Sequence, residues 1–191
     1  AFTGVTKRVR NEVSIPVITS NRINMPDVAE AVLVDGDADL VSMARPMLAD
    51  AELMKKAAEG REQEINTCIA CNQACLDHTF AMKTTSCLVN PRACHETMIK
   101  WGPAATTKNI AVVGAGPAGL AYATVAAERG HAVTLFDAAD EIGGQFNLAK
   151  QVPGKEEFHE TLRYYRAMLE KHAVTVKLGE RVDAAQLGAA G

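Results

Sequence analysis

Apolar residues in the first part of the chain gather in short runs that are separated by polar turns. Residues 15–19 form one such run and predict a buried strand, and residues 39–43 predict a second strand. A helix is expected over residues 26–34, and another from Asp50, as its cap, to about residue 59. Strand, helix, strand and helix joined by short connections are typical of a parallel α/β sheet.

The next segment, residues 61–108, shows little periodicity, and its last part, residues 101–108, is typical of a linker. A loop of this length needs something else to organise it, and a bound metal cluster would do so. The segment therefore predicts a metal-organised connection between two α/β regions.

Alternation of strands and helices returns after this segment. The pattern predicts three strands and two helices, namely strands over 110–113, 132–136 and 174–178 and helices over 117–129 and 156–171. We therefore expect an α/β protein with divisions at residues 1–60, 61–108 and 109–191.

The composition limits the classes of partner. Hydrophobic residues make up 48% of the 191 positions and charged residues 23%, which is ordinary for a globular protein. The net charge of −3 gives no reason to expect nucleic acid as a partner, and no apolar run approaches the ~20 residues of a membrane span. Since the chain starts without Met and stops where an α/β unit should deliver another strand, we expect a piece of a longer polypeptide.

Five cysteines are present, and four of them follow the spacing Cys-x2-Cys-x3-Cys-x11-Cys. No secretory leader opens the sequence, so the cluster indicates metal binding in a reducing cytoplasm rather than disulfides. Zinc sites are usually built from two separated Cys-x2-4-Cys pairs, whereas three close cysteines and one remote one fit a 4Fe–4S cluster better. A zinc knuckle and free thiols remain alternatives. The four residues are Cys68, Cys71, Cys75 and Cys87, while Cys94 is expected to be a small buried hydrophobe.

A glycine-rich turn follows the predicted strand that ends at Val113. Gly114 would permit a tight turn, Gly116 would let the backbone approach a pyrophosphate, and Gly119 would let the helix pack closely on the strand. Asp137, eighteen residues further on, is placed to accept hydrogen bonds from a ribose. The motif predicts a dinucleotide site without deciding between FAD and NAD.

A second glycine pair favours FAD. Gly143 and Gly144, followed by Gln145, come shortly after the acidic residue, where they would let the chain pass close to an extended flavin dinucleotide. An ordinary glycine turn is the alternative for this segment.

Two arginines follow the first two predicted strands. Arg22 and the pair Ala44-Arg45 would lie at the carboxyl ends of parallel strands, where (β/α)8 barrels commonly bind phosphate. Two guanidinium groups there could hold an FMN phosphate. On the residues alone, each arginine is more simply a surface or ion-pairing residue.

Five segments occur here in an order that resembles the bacterial-type NADPH-dependent 2,4-dienoyl-CoA reductases. These enzymes form part of the old yellow enzyme branch that also carries an iron–sulfur cluster and an FAD domain. The segments are Thr-Ser-Asn-Arg-Ile-Asn from residue 19, Ser-Met-Ala-Arg-Pro from 42, Cys-Ile-Ala-Cys-Asn-Gln-Ala-Cys from 68, Ser-Cys-Leu-Val-Asn-Pro-Arg-Ala-Cys from 86 and Val-Gly-Ala-Gly-Pro-Ala-Gly-Leu from 113.

The resemblance implies a specific architecture. Residues 1–60 would be the end of an FMN-binding (β/α)8 barrel, residues 61–108 the 4Fe–4S segment and residues 109–191 the start of a Rossmann-like FAD domain. The implied ligands are Cys68, Cys71, Cys75 and Cys87 for the cluster, Arg22, Ala44 and Arg45 for FMN, and Gly114, Ala115, Gly116, Pro117, Ala118, Gly119, Asp137, Gly144 and Gln145 for FAD.

The resemblance also implies an activity. Electrons would pass from NADPH through FAD, the cluster and FMN to the C=C bond of a 2,4-dienoyl-CoA ester in unsaturated fatty acid oxidation. The catalytic proton donors would lie in earlier barrel strands of the same polypeptide, so this chain alone is expected to be inactive. Related amine dehydrogenases, enoate reductases and a non-catalytic FAD/iron–sulfur electron-transfer module are alternatives. A further alternative is a zinc-stabilised scaffold that uses the dinucleotide fold only for binding.

Overall fold

The computed structural model describes residues 3–188. The chain forms two units that divide between Glu96 and Thr97, so all five cysteines belong to the first unit. None of the helices within residues 3–188 combines the length and apolar character that a membrane crossing requires.

The first unit contains two parallel strands and five α-helices among its described residues. These are α1 (Thr3–Glu12), β1 (Ile18–Ser20), α2 (Pro26–Val34), β2 (Leu40–Ser42), α3 (Arg45–Ala49), α4 (Leu53–Ala58) and α5 (His78–Phe80), with a 3-10 turn at Glu62–Glu64 and a π-helical turn at Gln73–Asp77. The two strands pair in parallel, with Thr19 opposite Val41. Ile23, Val32 and Ala38 form a small buried core beside them.

The first strand starts later than the apolar run predicts. Pro16 has no N–H to donate, and the N–H of Val17 donates to the Asp39 carboxylate at 2.9 Å instead of to a strand. Pairing therefore begins only at Ile18. The predicted helix over residues 26–34 is confirmed at both ends.

The predicted helix over residues 50–59 is wrong at its start. A short helix, α3, ends at Ala49, and Asp50 then adopts an extended backbone that separates it from α4, which begins at Leu53. The Asp50 carboxylate accepts a hydrogen bond from the Glu52 N–H at 3.0 Å, but it also binds groups outside the helix, as described below.

The second unit is a three-stranded parallel sheet in the order β3-β4-β5. Its elements are β3 (Asn109–Val113), α6 (Pro117–Glu128), β4 (Ala132–Phe136), α7 (Phe146–Ala149), α8 (Phe158–Lys171), β5 (Thr175–Lys177) and α9 (Ala184–Gly188). The core is formed by α6, α8 and the sheet, with Leu120, Leu135 and Leu162 fully buried. All five elements predicted here are confirmed to within two residues, whereas the short helices α7 and α9 were not expected.

Gly119 permits the close contact between α6 and the turn that precedes it. A Cβ atom at this position would lie 1.8 Å from the carbonyl oxygen of Gly114. At Gly116, by contrast, no atom lies within 4 Å of the corresponding position. The third glycine of the motif is thus required by packing, and the second is not.

We expect Gly119→Ala to destabilise the second unit by about 3 kcal/mol, because the clash is with backbone that cannot rotate away. Gly116→Ala is the matched control and should cost less than about 1 kcal/mol. Unfolding in urea, monitored by the fluorescence of Trp101, measures the stability of both variants, since the only tryptophan lies in the second unit. Equal stabilities of the two variants would contradict the packing role.

Candidate functional site

Four cysteines line one small cavity in the first unit, which we call the cysteine cavity. They are Cys68, Cys71, Cys75 and Cys87, and the remaining wall is formed by Arg45, Leu48, Ile69, Asn72, Leu88 and Val89. The structure thus brings together the four residues that the spacing predicts. Among the described residues, no three or more His, Cys, Asp or Glu side chains converge as ligands of a single metal ion.

Asparagine side chains hold the cysteine-bearing segments in place. Asn24 donates to the carbonyl oxygen of Cys68 at 3.1 Å. Asn66 donates to that of Val89 at 2.7 Å, and Asn90 donates to that of Leu48 at 2.9 Å. These bonds fix Cys68 itself and the segment that follows Cys87 to neighbouring parts of the first unit. Sequence analysis missed the three asparagines, although Asn66 and Asn90 each lie close to a cysteine in the sequence.

A buried carboxylate fixes the start of the cysteine segment. One Asp50 oxygen accepts hydrogen bonds from the Asn66 N–H at 2.9 Å and from Lys56 Nζ at 2.6 Å. Lys56 also donates to the carbonyl oxygen of Glu64 at 2.9 Å. Asp50 and Lys56 are only 6% and 13% exposed, so this ion pair is protected from water and ties α4 to the segment that follows.

The backbone bends sharply between the first cysteines. Ala70 and Asn72 both adopt left-handed conformations, with φ of 53° and 61°. Asparagine tolerates this region, whereas alanine adopts it at a steric cost. The two bends flank Cys71 and let the short segment from Cys68 to Cys75 surround the cavity.

Burial sets the acidity of two thiols. It raises the pKa of Cys68, and the Ala70 N–H and the Arg45 charge oppose it only in part. Burial likewise raises the pKa of Cys87, with the neighbouring thiols Cys68 and Cys71 adding to the effect. Without a positively charged occupant, both thiols therefore keep their protons to higher pH than an ordinary cysteine.

The expected burial of Cys94 is wrong. This residue is exposed, lies outside the cysteine cavity and adopts a left-handed backbone with φ of 63°. Its N–H donates to the Glu96 carboxylate at 3.1 Å. The turn directs Cys94 away from the packed residues, which the sequence pattern does not reveal.

A second cavity, of about 440 Å³, lies at the carboxyl ends of β1 and β2. It is lined by residues 20–24 and 42–46, which include Arg22, Ala44 and Arg45, and we call it the anion pocket after the positive charge of its two arginines. Asn21 and Arg22 both adopt left-handed conformations immediately after β1. The parallel pairing of the strands brings the two predicted arginines to one pocket.

The glycine motif forms a continuous turn with the second glycine pair. Gly114 has a φ of 104°, and Gly116 caps α6 without a side-chain hydrogen bond. The Gly143 N–H donates to the carbonyl oxygen of Ala115 at 2.8 Å, and a Cβ at Gly144 would lie 3.2 Å from the Cα of Gly116. Both glycine segments therefore meet at the N-terminus of α6, with Gln145 exposed immediately after them.

Asp137 follows β4 and faces the glycine turn. Its carboxylate accepts hydrogen bonds from the N–H groups of Ala115 and of Ala139, at 2.5 and 2.8 Å. A carboxylate has about four lone-pair positions, so these two bonds leave acceptor capacity for hydroxyl groups. The acidic residue thus also holds the glycine turn against the end of β4.

Comparison with known proteins finds similarity for two segments of the chain. Residues 2–64 match the sequence model for the NADH:flavin oxidoreductase / NADH oxidase family, and residues 112–174 match that for an NAD(P)-binding Rossmann-like domain. The two matched segments are therefore similar to parts of flavin oxidoreductases and of NAD(P)-binding proteins. The similarity to flavin oxidoreductases that the sequence patterns predict is confirmed at this level.

Relatives with different substrates match nearly the same span. A metal reductase of Desulforamulus reducens is 49% identical over 158 residues, covering 83% of this chain and 24% of the relative. The structure of a 2-naphthoyl-CoA reductase with 2-naphthoyl-CoA matches with a TM-score of 0.94 and 38% identity over 98% of this chain and 29% of that one. Histamine dehydrogenase from Rhizobium sp. 4-9 matches with a TM-score of 0.87 and 29% identity, over 97% of this chain and 28% of that one.

The chain spans about a quarter of the length of these relatives. Since a reductase of a CoA ester and an amine dehydrogenase both match, the shared part is the flavin oxidoreductase framework. The dienoyl-CoA substrate stays a prediction.

The buried thiols give a pH-dependent prediction. Because burial raises the pKa of Cys68 and Cys87, their alkylation by iodoacetamide in metal-free chain should reach its half-maximal rate above the pH typical of a free cysteine. Below that pH both thiols are protonated and react slowly. Peptide mass spectrometry across a pH series measures each cysteine separately, and midpoints below the ordinary thiol value would contradict the burial argument.

Proposed function

We propose that this chain is the electron-relay part of a flavin and iron–sulfur oxidoreductase that carries electrons from NADPH through FAD and a 4Fe–4S cluster to FMN. The observation that carries the proposal is the enclosure of one cavity by four cysteines, beside an anion pocket that shares Arg45 as a wall. The glycine turn of the second unit supplies a dinucleotide site in the same chain.

The cysteine cavity suits a 4Fe–4S cluster in its donors. Thiolates are soft ligands, and each of the four thiolates of a four-iron cube binds a different iron. The ligands of a cube therefore surround the volume of the cluster. The thiolates of one zinc ion, by contrast, converge to within ~3.8 Å of each other, because each Zn–S bond is about 2.3 Å. Four cysteines line one cavity, and among the described residues they do not converge on a single ion, which favours the first arrangement. When bound, the cluster supplies single-electron transfer between two-electron flavins.

The anion pocket suits the phosphate of FMN. Arg22 and Arg45 bring two permanent positive charges to the ends of β1 and β2. Guanidinium groups bind phosphate oxygens in pairs through parallel N–H bonds, and the pocket lies at the strand ends where such barrels bind phosphate. Asn21 and Ser42 add further polar groups to the same wall.

The glycine turn suits the pyrophosphate of FAD. The N-terminus of the twelve-residue helix α6 begins at Pro117, so its first turn directs N–H groups towards an anion. The open space beside Gly116 allows close approach. Asp137 retains acceptors for ribose hydroxyls. Because Gly144 packs against Gly116, the second glycine pair extends the surface available to a dinucleotide. A longer surface supports FAD over NAD.

For the whole enzyme we propose reduction of the C=C bond of a dienoyl-CoA ester. The resemblance of the cysteine segments supports it, and the match to a 2-naphthoyl-CoA reductase fits a CoA ester as substrate. Oxidation of an amine is the second candidate, favoured by the match to histamine dehydrogenase. The two differ in the direction of electron flow through the same relay.

We expect anaerobically purified chain to contain about four irons and four sulfides per molecule. Cys71→Ser should lose the cluster, because it removes one of the four ligands, whereas Cys94→Ser should retain it. Iron, zinc and labile sulfide analysis with visible spectra measures this. One zinc without sulfide, or loss of the cluster in the Cys94→Ser variant alone, would contradict the proposed ligand set.

We expect the chain to bind FAD, and Gly116→Val to weaken binding at least about tenfold, or ~1.4 kcal/mol. The valine would occupy the path of the pyrophosphate, although no atom of the protein lies within 4 Å of its Cβ. Gly102→Val is the matched control, because its Cβ position is also open and lies outside the turn. Fluorescence titration measures both, and binding of NADPH in preference to FAD would count against the FAD assignment.

A further inference from the structure

Arg45 lies in the wall of both cavities of the first unit. It lines the anion pocket together with Asn21, and it lines the cysteine cavity together with Asn72. One side chain therefore separates the two proposed cofactor sites.

Hydrogen bonds connect this guanidinium to one turn on each side. Arg45 Nη2 donates to Asn21 Oδ1 at 3.1 Å, and Arg45 Nη1 donates to Asn72 Oδ1 at 2.5 Å. Both asparagines hold left-handed conformations, with φ of 79° and 61°. The first turn follows β1 and the second lies between Cys71 and Cys75, so the two bonds join the pocket wall to the segment that carries the thiols.

The guanidinium can serve both sites at once. It has five N–H donors in a rigid plane, and the two bonds to asparagine use two of them. The others can bind an anion in the pocket while the asparagine bonds remain. A lysine has a single compact ammonium group and would not span the two turns in this way.

We propose that Arg45 is a positioning residue that couples the two sites: a phosphate group bound in the anion pocket fixes the guanidinium and thereby restrains the Asn72 turn and its flanking cysteines. Coupling of this kind is reciprocal, so an ordered cysteine segment also favours phosphate binding. The inference rests on the proposed function in one respect, since the natural anion would be the phosphate of FMN and the restrained thiols would be cluster ligands.

The test uses inorganic phosphate as the probe and cysteine alkylation as the readout. Reduced, metal-free chain is treated with iodoacetamide at fixed pH, with phosphate or with chloride at equal ionic strength. Peptide mass spectrometry gives the rates at Cys71 and Cys75, and exposed Cys94 is the internal reference. We expect phosphate to slow Cys71 and Cys75 relative to Cys94 by at least about fivefold, the lower end of typical coupling. Calorimetry measures phosphate binding in parallel.

Asn72→Gly separates coupling from binding. Glycine adopts the left-handed conformation readily, so the turn is retained while the acceptor for Arg45 is lost. This variant should bind phosphate but show no phosphate-dependent slowing. Asn72→Asp keeps the acceptor and should retain the slowing. Arg45→Lys should lose the phosphate-dependent slowing. The matched control is Arg8→Lys, on the exposed face of α1, which should behave as the unaltered chain.

Three results would overturn the coupling: no phosphate binding, no slowing of Cys71 and Cys75 when phosphate is bound, or equal slowing in the Asn72→Gly variant. The outcome is independent of cluster assembly. Slowing in a chain that assembles no iron and sulfide would support the coupling and reject the proposed cluster. If the chain assembles the cluster but phosphate does not slow the alkylation of Cys71 and Cys75, the coupling is rejected and the proposed cluster is kept.

Discussion

The first unit depends on the buried ion pair between Asp50 and Lys56. The carboxylate lies where α3 ends, and it receives N–H bonds from Glu52 in the next turn and from Asn66 at the start of the cysteine segment. Removing one partner of a buried pair typically costs 3–5 kcal/mol, because the other charge is left without compensation. An exposed pair such as Lys55–Glu52 contributes about 0.5 kcal/mol at most. The buried pair thus ties α4 to the start of the cysteine segment.

In both units the candidate site residues lie at the carboxyl ends of parallel strands. In the first, the residues after β1 and β2 form the anion pocket. In the second, the turn after β3 contains the glycines, and Asp137 follows β4 and binds that turn. Parallel strands direct their carboxyl ends to one edge, and the following helices leave a crevice there. The same geometric rule therefore yields an arginine-lined pocket in one unit and a glycine-rich turn in the other.

Periodic patterns predicted the regular elements well, because α2, α6 and β4 are set by local sequence. The errors came from single long-range bonds. Asp39 captures the N–H of Val17 and delays β1, and Asp50 forms its bonds outside the helix that it was expected to cap. The spacing of the cysteines and the positions of Arg22 and Arg45 identified residues that the structure does bring together. Their connection through Asn21 and Asn72 could not be predicted, since it depends on two left-handed turns that meet only in the folded chain.

Thiolates in the cysteine cavity would need a positively charged occupant to offset the cost of their burial. The apolar walls of the cavity raise the pKa of Cys68 and Cys87, so burial opposes the thiolate form that metal binding needs. Arg45 offsets part of this cost but provides only one positive charge for four thiols. Metal ions deprotonate the thiols that coordinate them and compensate the buried negative charge. Because asparagine bonds to Cys68, Val89 and Leu48 already hold the cavity wall in place, the cost that remains is electrostatic, and a bound metal cluster would remove it.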